Sequence, residues 1–393
     1  MDSELGPLLP LFGRERAAGR PMALGILVHT AGSTYRKPGA MLLIAGDGQY
    51  AGLISGGCLE GDLGERARAV IATGRATRVT YDLRNSDDLV WGLGLGCEGA
   101  MHILLLRVGP QEEWQPLAHL GAALAAHSPT TVGIVTESQD PGIPPGALVL
   151  PPGPRPSDCL TSAESPAAPQ SPHSPESAGA SPLAFPRSLS TSARAALLQP
   201  PTLAALAAAT EAGALGWVAA PGGSWKLMLL PLSLPPRLLL LGAGPDALPV
   251  VDFAARLQWR VTVVDHRSAY AVPSHFPSAE RVLLARPEEI AQALDLRHFA
   301  AAVVMSHHLP SDLEYLRALS ASSLSYIGLL GPPARREKLL AELGAEAERL
   351  RPRLRAPVGF NLGGRTPESI ALAIVSEIHA FVHGMQPMRS GGS

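Results

Sequence analysis

A chain of 393 residues is longer than one hydrophobic core ordinarily organises, so two domains are expected. Apolar residues make up 46% of it and charged residues 17%, with 32 Lys plus Arg against 34 Asp plus Glu. That balance supplies a large core and excludes an electrostatic grip on nucleic acid or on an anionic membrane surface. Met1 to Arg20 has no basic region followed by an apolar run, and no stretch reaches the ~18 to 20 apolar residues of a membrane span. Cys58, Cys97 and Cys159 form neither a disulfide framework nor a C-x-x-C zinc pair, and the chain reads as a soluble cytoplasmic protein.

Taken in order, the first half predicts strands at Ala23–His29, Ala40–Ala45 and Tyr50–Ile54, the last two joined by the hairpin signal Asp47-Gly48. Ser55-Gly56-Gly57 breaks the third strand. A helix is expected from Leu59 to about Thr73, closed by Gly74, then strands at Arg78–Leu83 and Ala100–Val108. Strands at Thr131–Thr136 and Ala147–Leu150 precede a segment that changes texture. Residues 151–200 hold eleven prolines and ten serines, too little apolar surface to offset ordering entropy, so 154–195 is expected to be disordered. A helix (Thr202–Ala212) and strands at Leu215–Ala219 and Trp225–Leu230 follow, so the segment reads as an insertion within one domain, 1–235, ending at Pro235-Pro236.

From there strands and helices alternate. Strands are expected at Arg237–Gly242, Arg260–Asp265, Arg281–Leu284, Ala301–Ser306 and Ser325–Leu330, with helices at Ala247–Gln258, Glu288–Leu294, Asp312–Ala318 and Ala334–Leu343. A last helix starts at Thr366 as N-cap with Pro367 at its first position. Apolar strands separated by amphipathic helices imply a parallel sheet covered on both faces. The fold class is therefore α/β: an N-terminal α/β domain carrying Gly-Cys motifs, and a Rossmann-type doubly wound domain over 236–386, with a flexible tail at 387–393.

Two constellations carry chemistry. Gly242-Ala243-Gly244-Pro245-Asp246-Ala247 is a G-x-G-x-x-A turn between a buried strand and a helix. Gly242 permits the tight turn, Gly244 admits a phosphate close to the backbone, and Asp265 ends the next strand where a ribose-binding carboxylate is expected. Asp246 works against this, because a carboxylate there repels phosphate. A scaffold that has lost its ligand is the bland alternative. In the first half, the loop Gly32 to Gly39 places Ser33, Thr34 and Arg36 between two strands, suited to wrapping an anion, although a solvated turn would look the same. Gly56 and Gly57 then precede Cys58 at the head of a helix that also carries Glu60. A thiol at a helix N-terminus has its pKa lowered, which makes thiolate chemistry or metal ligation plausible there. Gly96-Cys97-Glu98-Gly99 repeats the theme, against the plain reading of each cysteine as a small buried residue. His307-His308 follow a buried strand and read as a polar loop. No G-x-S-x-G elbow or H-E-x-x-H pair occurs.

These motifs, in this order, resemble the XdhC/CoxI family of xanthine and carbon monoxide dehydrogenase accessory factors. The first half matches in Gly32-Ser33-Thr34 through Arg36, Pro38-Gly39-Ala40, Gly56-Gly57-Cys58-Leu59-Glu60 and Gly96-Cys97-Glu98-Gly99. The second matches in Gly242-Ala243-Gly244, Val261 to Arg267, Val304-Met305-Ser306-His307, Tyr326 to Gly331 and Gly363-Gly364-Arg365-Thr366-Pro367-Glu368. The resemblance implies a chaperone that binds the molybdenum cofactor (molybdopterin), supports its sulfuration and hands it to an apo molybdenum hydroxylase, with Cys58 near the cofactor as a metal ligand. A cysteine desulfurase and a second copy of the chain are further expected partners, and NAD(P) a further possible ligand of the second domain. Members usually carry histidine after the second glycine of the turn and His-Asp near the fourth strand's end; here Pro245-Asp246 and His307-His308 stand there. The rival expectation is an NAD(P)-dependent oxidoreductase working from Gly242, Gly244 and Asp265.

Overall fold

The computed structural model describes residues 4–57, 59–82, 84, 99–151 and 191–385. Cys58, Cys97, Glu98, most of the proline-serine insert with Cys159, and the tail lie outside them. The chain divides into two compact units, Ser3–Leu234 and the part from Pro235 onward.

The first unit runs α1 (Leu9–Ala17), β1 (Met22–Gly32), β2 (Met41–Ala45), β3 (Tyr50–Gly52), α2 (Glu60–Thr73), β4 (Thr77–Asp82), β5 (Gly99–Val108) and α3 (Leu117–Ala125). It continues with β6 (Thr131–Ser138), β7 (Leu148–Val149), α4 (Thr191–Leu197), α5 (Pro200–Ala212), β8 (Gly216–Ala219) and β9 (Trp225–Pro231). Two antiparallel sheets result, ordered β3-β2-β1-β5-β4 and β7-β6-β9-β8. β1 is apolar throughout its first half because both its faces are covered. Ala23 and Leu27 pack with Leu63, Ala67 and Val70 of α2, while Leu24, Ile26 and Val28 pack with Ile134 and Met228 of the second sheet. β1 and β5 remain paired past a bulge between Leu27 and His29 and carry the sheet out to Gly32 opposite Gly99.

Three local differences from the sequence reading have physical causes. β3 stops at Gly52 instead of Ile54: Gly52 has φ +89°, and a Cβ there would lie 2.3 Å from the Met41 carbonyl oxygen, so the chain turns off the sheet. Residues 191–195, expected within the disordered insert, belong to α4, where Ala193 and Leu197 pack with Val135, Leu206 and Leu227. Helices α1 and α3 were not anticipated; Leu11 and Phe12 of α1 join the core between the sheets.

The second unit comprises β10 (Arg237–Leu241), α6 (Ala247–Arg256), β11 (Arg260–Asp265), β12 (Arg281–Leu284), α7 (Ile290–Ala293), β13 (Ala301–Val304) and α8 (Leu309–Ser320). It ends with β14 (Ile327–Leu329), α9 (Pro333–Leu343), α10 (Ala347–Leu350), β15 (Leu354–Arg355) and α11 (Pro367–Val382). Six parallel strands are ordered β12-β11-β10-β13-β14-β15, one more than expected, because two-residue β15 is too short to register as an apolar run. α6 and α11 cover one face, α8 and α9 the other, each over its own apolar core. Thr366 caps α11 through its hydroxyl, which accepts from the Ser369 amide at 3.3 Å. Strand order reverses between β10 and β13, which opens a crevice at the carboxyl ends of the strands.

Candidate functional site

In the first unit, three segments meet at one end of the five-stranded sheet. The Ser33 carbonyl oxygen sits 2.3 Å from where a Cβ on Gly99 would stand, and the Thr34 methyl 2.6 Å from it, so only glycine fits opposite this loop. The loop is fixed further on: Thr34 Oγ1 donates to the Arg36 carbonyl at 2.8 Å, Arg36 pairs with Glu4, and the Gly39 amide donates to the Leu27 carbonyl at 2.8 Å. Between these ties Tyr35 stands 62% exposed, and its ring borders Gly56, with Cδ1 3.8 Å from the ideal Cβ position. Loop 33–39, loop 55–59 and the start of β5 are thereby brought together.

Glu60 organises the second of these loops. Its buried carboxylate accepts from the amides of Ser55 (3.0 Å), Gly57 (3.1 Å) and Leu59 (3.1 Å), and from the Ser55 hydroxyl. Burial raises its pKa, but the Ser55 hydroxyl and the Ser55 and Ile54 amides outweigh that and hold it below the ordinary carboxylate value. Glu60 is thus engaged within the loop, whose amides it closes into a rigid turn. Gly56 and Gly57, at φ +89° and +110°, carry the chain around it, and among the described residues beyond its chain neighbours no atom lies within 4 Å of where a Cβ on Gly57 would stand. Of the thiols and acids named from sequence, Cys58, Cys97 and Glu98 fall outside the described residues, but Gly57, Leu59 and Gly99 beside them are placed.

The glycine turn of the second unit is built differently from a free phosphate cradle. Gly242, at φ +124°, lies so close to the end of β13 that a Cβ would be 2.5 Å from the Met305 carbonyl oxygen. The Ala243 amide donates to Asp265 Oδ2 at 2.8 Å. Pro245 has no amide proton, and the Asp246 carboxylate folds back over Gly244, with Oδ1 2.6 Å from its ideal Cβ position. Asp265, 1% exposed, also accepts from the Arg267 amide and guanidinium at 2.8–2.9 Å. Burial pushes its pKa up; the Arg267 guanidinium and the Ala243 amide more than reverse that. Asp265 therefore braces the turn from within, and what faces out at the end of β11 is Arg267, laid over the Tyr270 ring at 3.9 Å. The sequence reading missed this Arg267 contact and the role of Tyr35. The signals present were an arginine two residues after the strand-end acid, and an aromatic residue inside a Gly-Ser-Thr loop.

Among the described residues, no three His, Cys, Asp or Glu side chains are grouped to hold a metal ion, and no helix is long and apolar enough to cross a membrane. The two units define a class: antiparallel sheets with a clasped glycine loop, followed by a six-stranded Rossmann-type sheet. Residues 15–82 match the XdhC and CoxI family, and residues 238–378 match the XdhC Rossmann domain. The chain is 30% identical over 372 residues to a probable xanthine dehydrogenase subunit of Bacillus subtilis, covering 90% of this chain and 91% of that one. It is 31% identical over 160 residues to the uncharacterized protein YqeB of Escherichia coli, covering 40% of this chain and 29% of that one. A crystal structure of a xanthine dehydrogenase from Bacillus halodurans superposes with a TM-score of 0.69 at 25% identity, covering 99% of this chain and 98% of that one. The chain belongs to the XdhC/CoxI family.

Proposed function

We propose that this chain is an accessory factor of a xanthine dehydrogenase-type molybdenum hydroxylase, which binds the molybdenum cofactor in its first unit, supports its sulfuration and delivers it to the apoenzyme. The observation that carries the reading is the meeting of loop 33–39, the backbone of Ser55 to Gly57, and Gly99 at the start of β5; these residues belong to or adjoin the family's Gly-Ser-Thr, Gly-Gly-Cys-Leu-Glu and Gly-Cys-Glu-Gly motifs. The residues suit the group. Gly57 leaves backbone exposed, Ser33 and Thr34 add hydroxyls, Arg36 would exchange its present partner Glu4 for an anion, and Cys58 offers a sulfur ligand one residue along.

When bound, the cofactor supplies the oxygen-atom and redox chemistry of the client enzyme. The chain's own part is to bind it and to shield it from water. Glu60 accepts from the amides of Ser55, Gly57 and Leu59 and so fixes the backbone on either side of Cys58. A dinucleotide-dependent oxidoreductase is the weaker reading, because the anion-binding groups of the Gly242 turn are engaged with one another. The test is retention of molybdenum after purified protein is mixed with released cofactor and desalted. The parent retains molybdenum and activates an apo-hydroxylase, whereas Cys58→Ala binds roughly tenfold more weakly, about 1.4 kcal/mol, and fails to activate. Cys97→Ala shows a milder loss and Cys159→Ala none. Equal retention and transfer by Cys58→Ala would sink the assignment of the site.

A further inference from the structure

We propose that Tyr35 is the platform on which a flat heteroaromatic ring stacks at this site, and that the ligand it takes is a pterin; the inference rests on the cofactor reading above. The loop carrying Tyr35 is tied down on both sides of it. Ser33 abuts Gly99, Thr34 bonds the Arg36 carbonyl, Arg36 pairs with Glu4, and the Gly39 amide bonds Leu27. A loop held this firmly could turn its one aromatic residue inward, yet Tyr35 is 62% exposed, more than any other tyrosine, tryptophan or phenylalanine among the described residues. Its ring borders Gly56: Cγ, Cδ1 and Cε1 all lie 3.8–3.9 Å from the ideal Cβ position, the separation of ordinary van der Waals contact. The next residue, Gly57, is exposed, and among the described residues beyond its chain neighbours nothing lies within 4 Å of its ideal Cβ position. An exposed aromatic ring bordering one exposed glycine, with a second exposed glycine next in the chain, forms an open site for a flat ring. A ligand lying in it covers the tyrosine and meets open backbone at its edge. Rings rich in nitrogen stack on tyrosine favourably, and tyrosine is rigid enough to be ordered at small entropic cost.

The test uses the full chain and fluorescent pterin-6-carboxylate as probe, with molybdenum retention measured in parallel. The parent quenches the probe on binding. Tyr35→Phe keeps the ring and binds within about threefold of the parent, and Tyr35→Ala binds at least roughly tenfold more weakly at unchanged melting temperature. Tyr35→Trp places an indole at the same site, and its emission is quenched by the bound pterin. Equal probe binding by Tyr35→Ala overturns the platform while leaving the cofactor reading intact. So does a parent that retains molybdenum but ignores pterin, or a Tyr35→Trp emission that pterin does not alter. A parent that retains no molybdenum defeats the cofactor reading itself, and the platform with it.

Discussion

His307 Nε2 lies 2.7 Å from Asp246 Oδ2, so that the loop after β13 is latched to the head of α6 across the glycine turn. His307 adopts φ +58° to reach it, a conformation that costs a non-glycine residue free energy unless its surroundings hold it. The pair places a carboxylate over Gly244, where a dinucleotide would need its diphosphate. Pro245 offers no amide and Ala243 has spent its own on Asp265.

Calorimetric titration of the parent with NAD and NADP is accordingly expected to show no binding tighter than about 100 μM. Heat corresponding to a low-micromolar dinucleotide site would show that the latch opens. Gly242→Ala should lower stability by about 3 kcal/mol in chemical denaturation. Its Cβ would press on the Met305 carbonyl at a φ that alanine rarely adopts.

Glu60 makes a pH-dependent contribution whose sign is fixed. Its folded-state pKa lies below the ordinary value of 4.5, so the stabilisation is fully present above that pH and is lost as pH falls through the lower, folded value. Glu60→Gln cannot accept from as many amides. It should cost about 2 kcal/mol at neutral pH, with the gap to the parent narrowing on acidification below 4.5. Urea melts of both proteins between neutral pH and acid would measure it; a gap that stays constant would refute the assignment.

In the second unit, Glu377 is a buried carboxylate that accepts from the Tyr326 hydroxyl and from the Gly359 amide, each at 2.7 Å, and so ties α11 to β14 and to the loop after β15. Burial and the Glu377 charge raise the Tyr326 pKa well above its usual value, so the hydroxyl stays a donor at any working pH. Glu377→Ala leaves both donors unsatisfied and is expected to cost about 3 kcal/mol. Tyr326→Phe removes one donor and leaves the carboxylate its Gly359 amide, and should cost less. The order of the two midpoints checks the arrangement.

The proline-serine composition of 154–190 gives that stretch little to contribute to a core. Deleting it while keeping α4 should move the melting temperature by no more than about 2 °C and leave molybdenum retention unchanged. Removing 191–197 as well should lower it sharply, since Leu197 is fully buried against Leu206 and Leu227.

What the sequence determined by itself is what local pattern encodes. The alternation of apolar strands with amphipathic helices from Arg237 onward specifies a parallel sheet, Thr366-Pro367 specifies where α11 begins, and Gly74 where α2 ends. The order of the glycine-cysteine motifs was enough to point to the family. Partnerships between distant residues are not written in any local pattern, and only the tertiary structure decided them. Asp265 stands where a ribose ligand is expected, and its engagement by Ala243 depends on how β10 and β11 lie side by side. Glu60 was named as a ligand, and became a clasp because the chain doubles back from Ile54 over the head of α2. Tyr35 passed unremarked, since exposure and a glycine neighbour twenty-one residues away are properties of the folded loop alone.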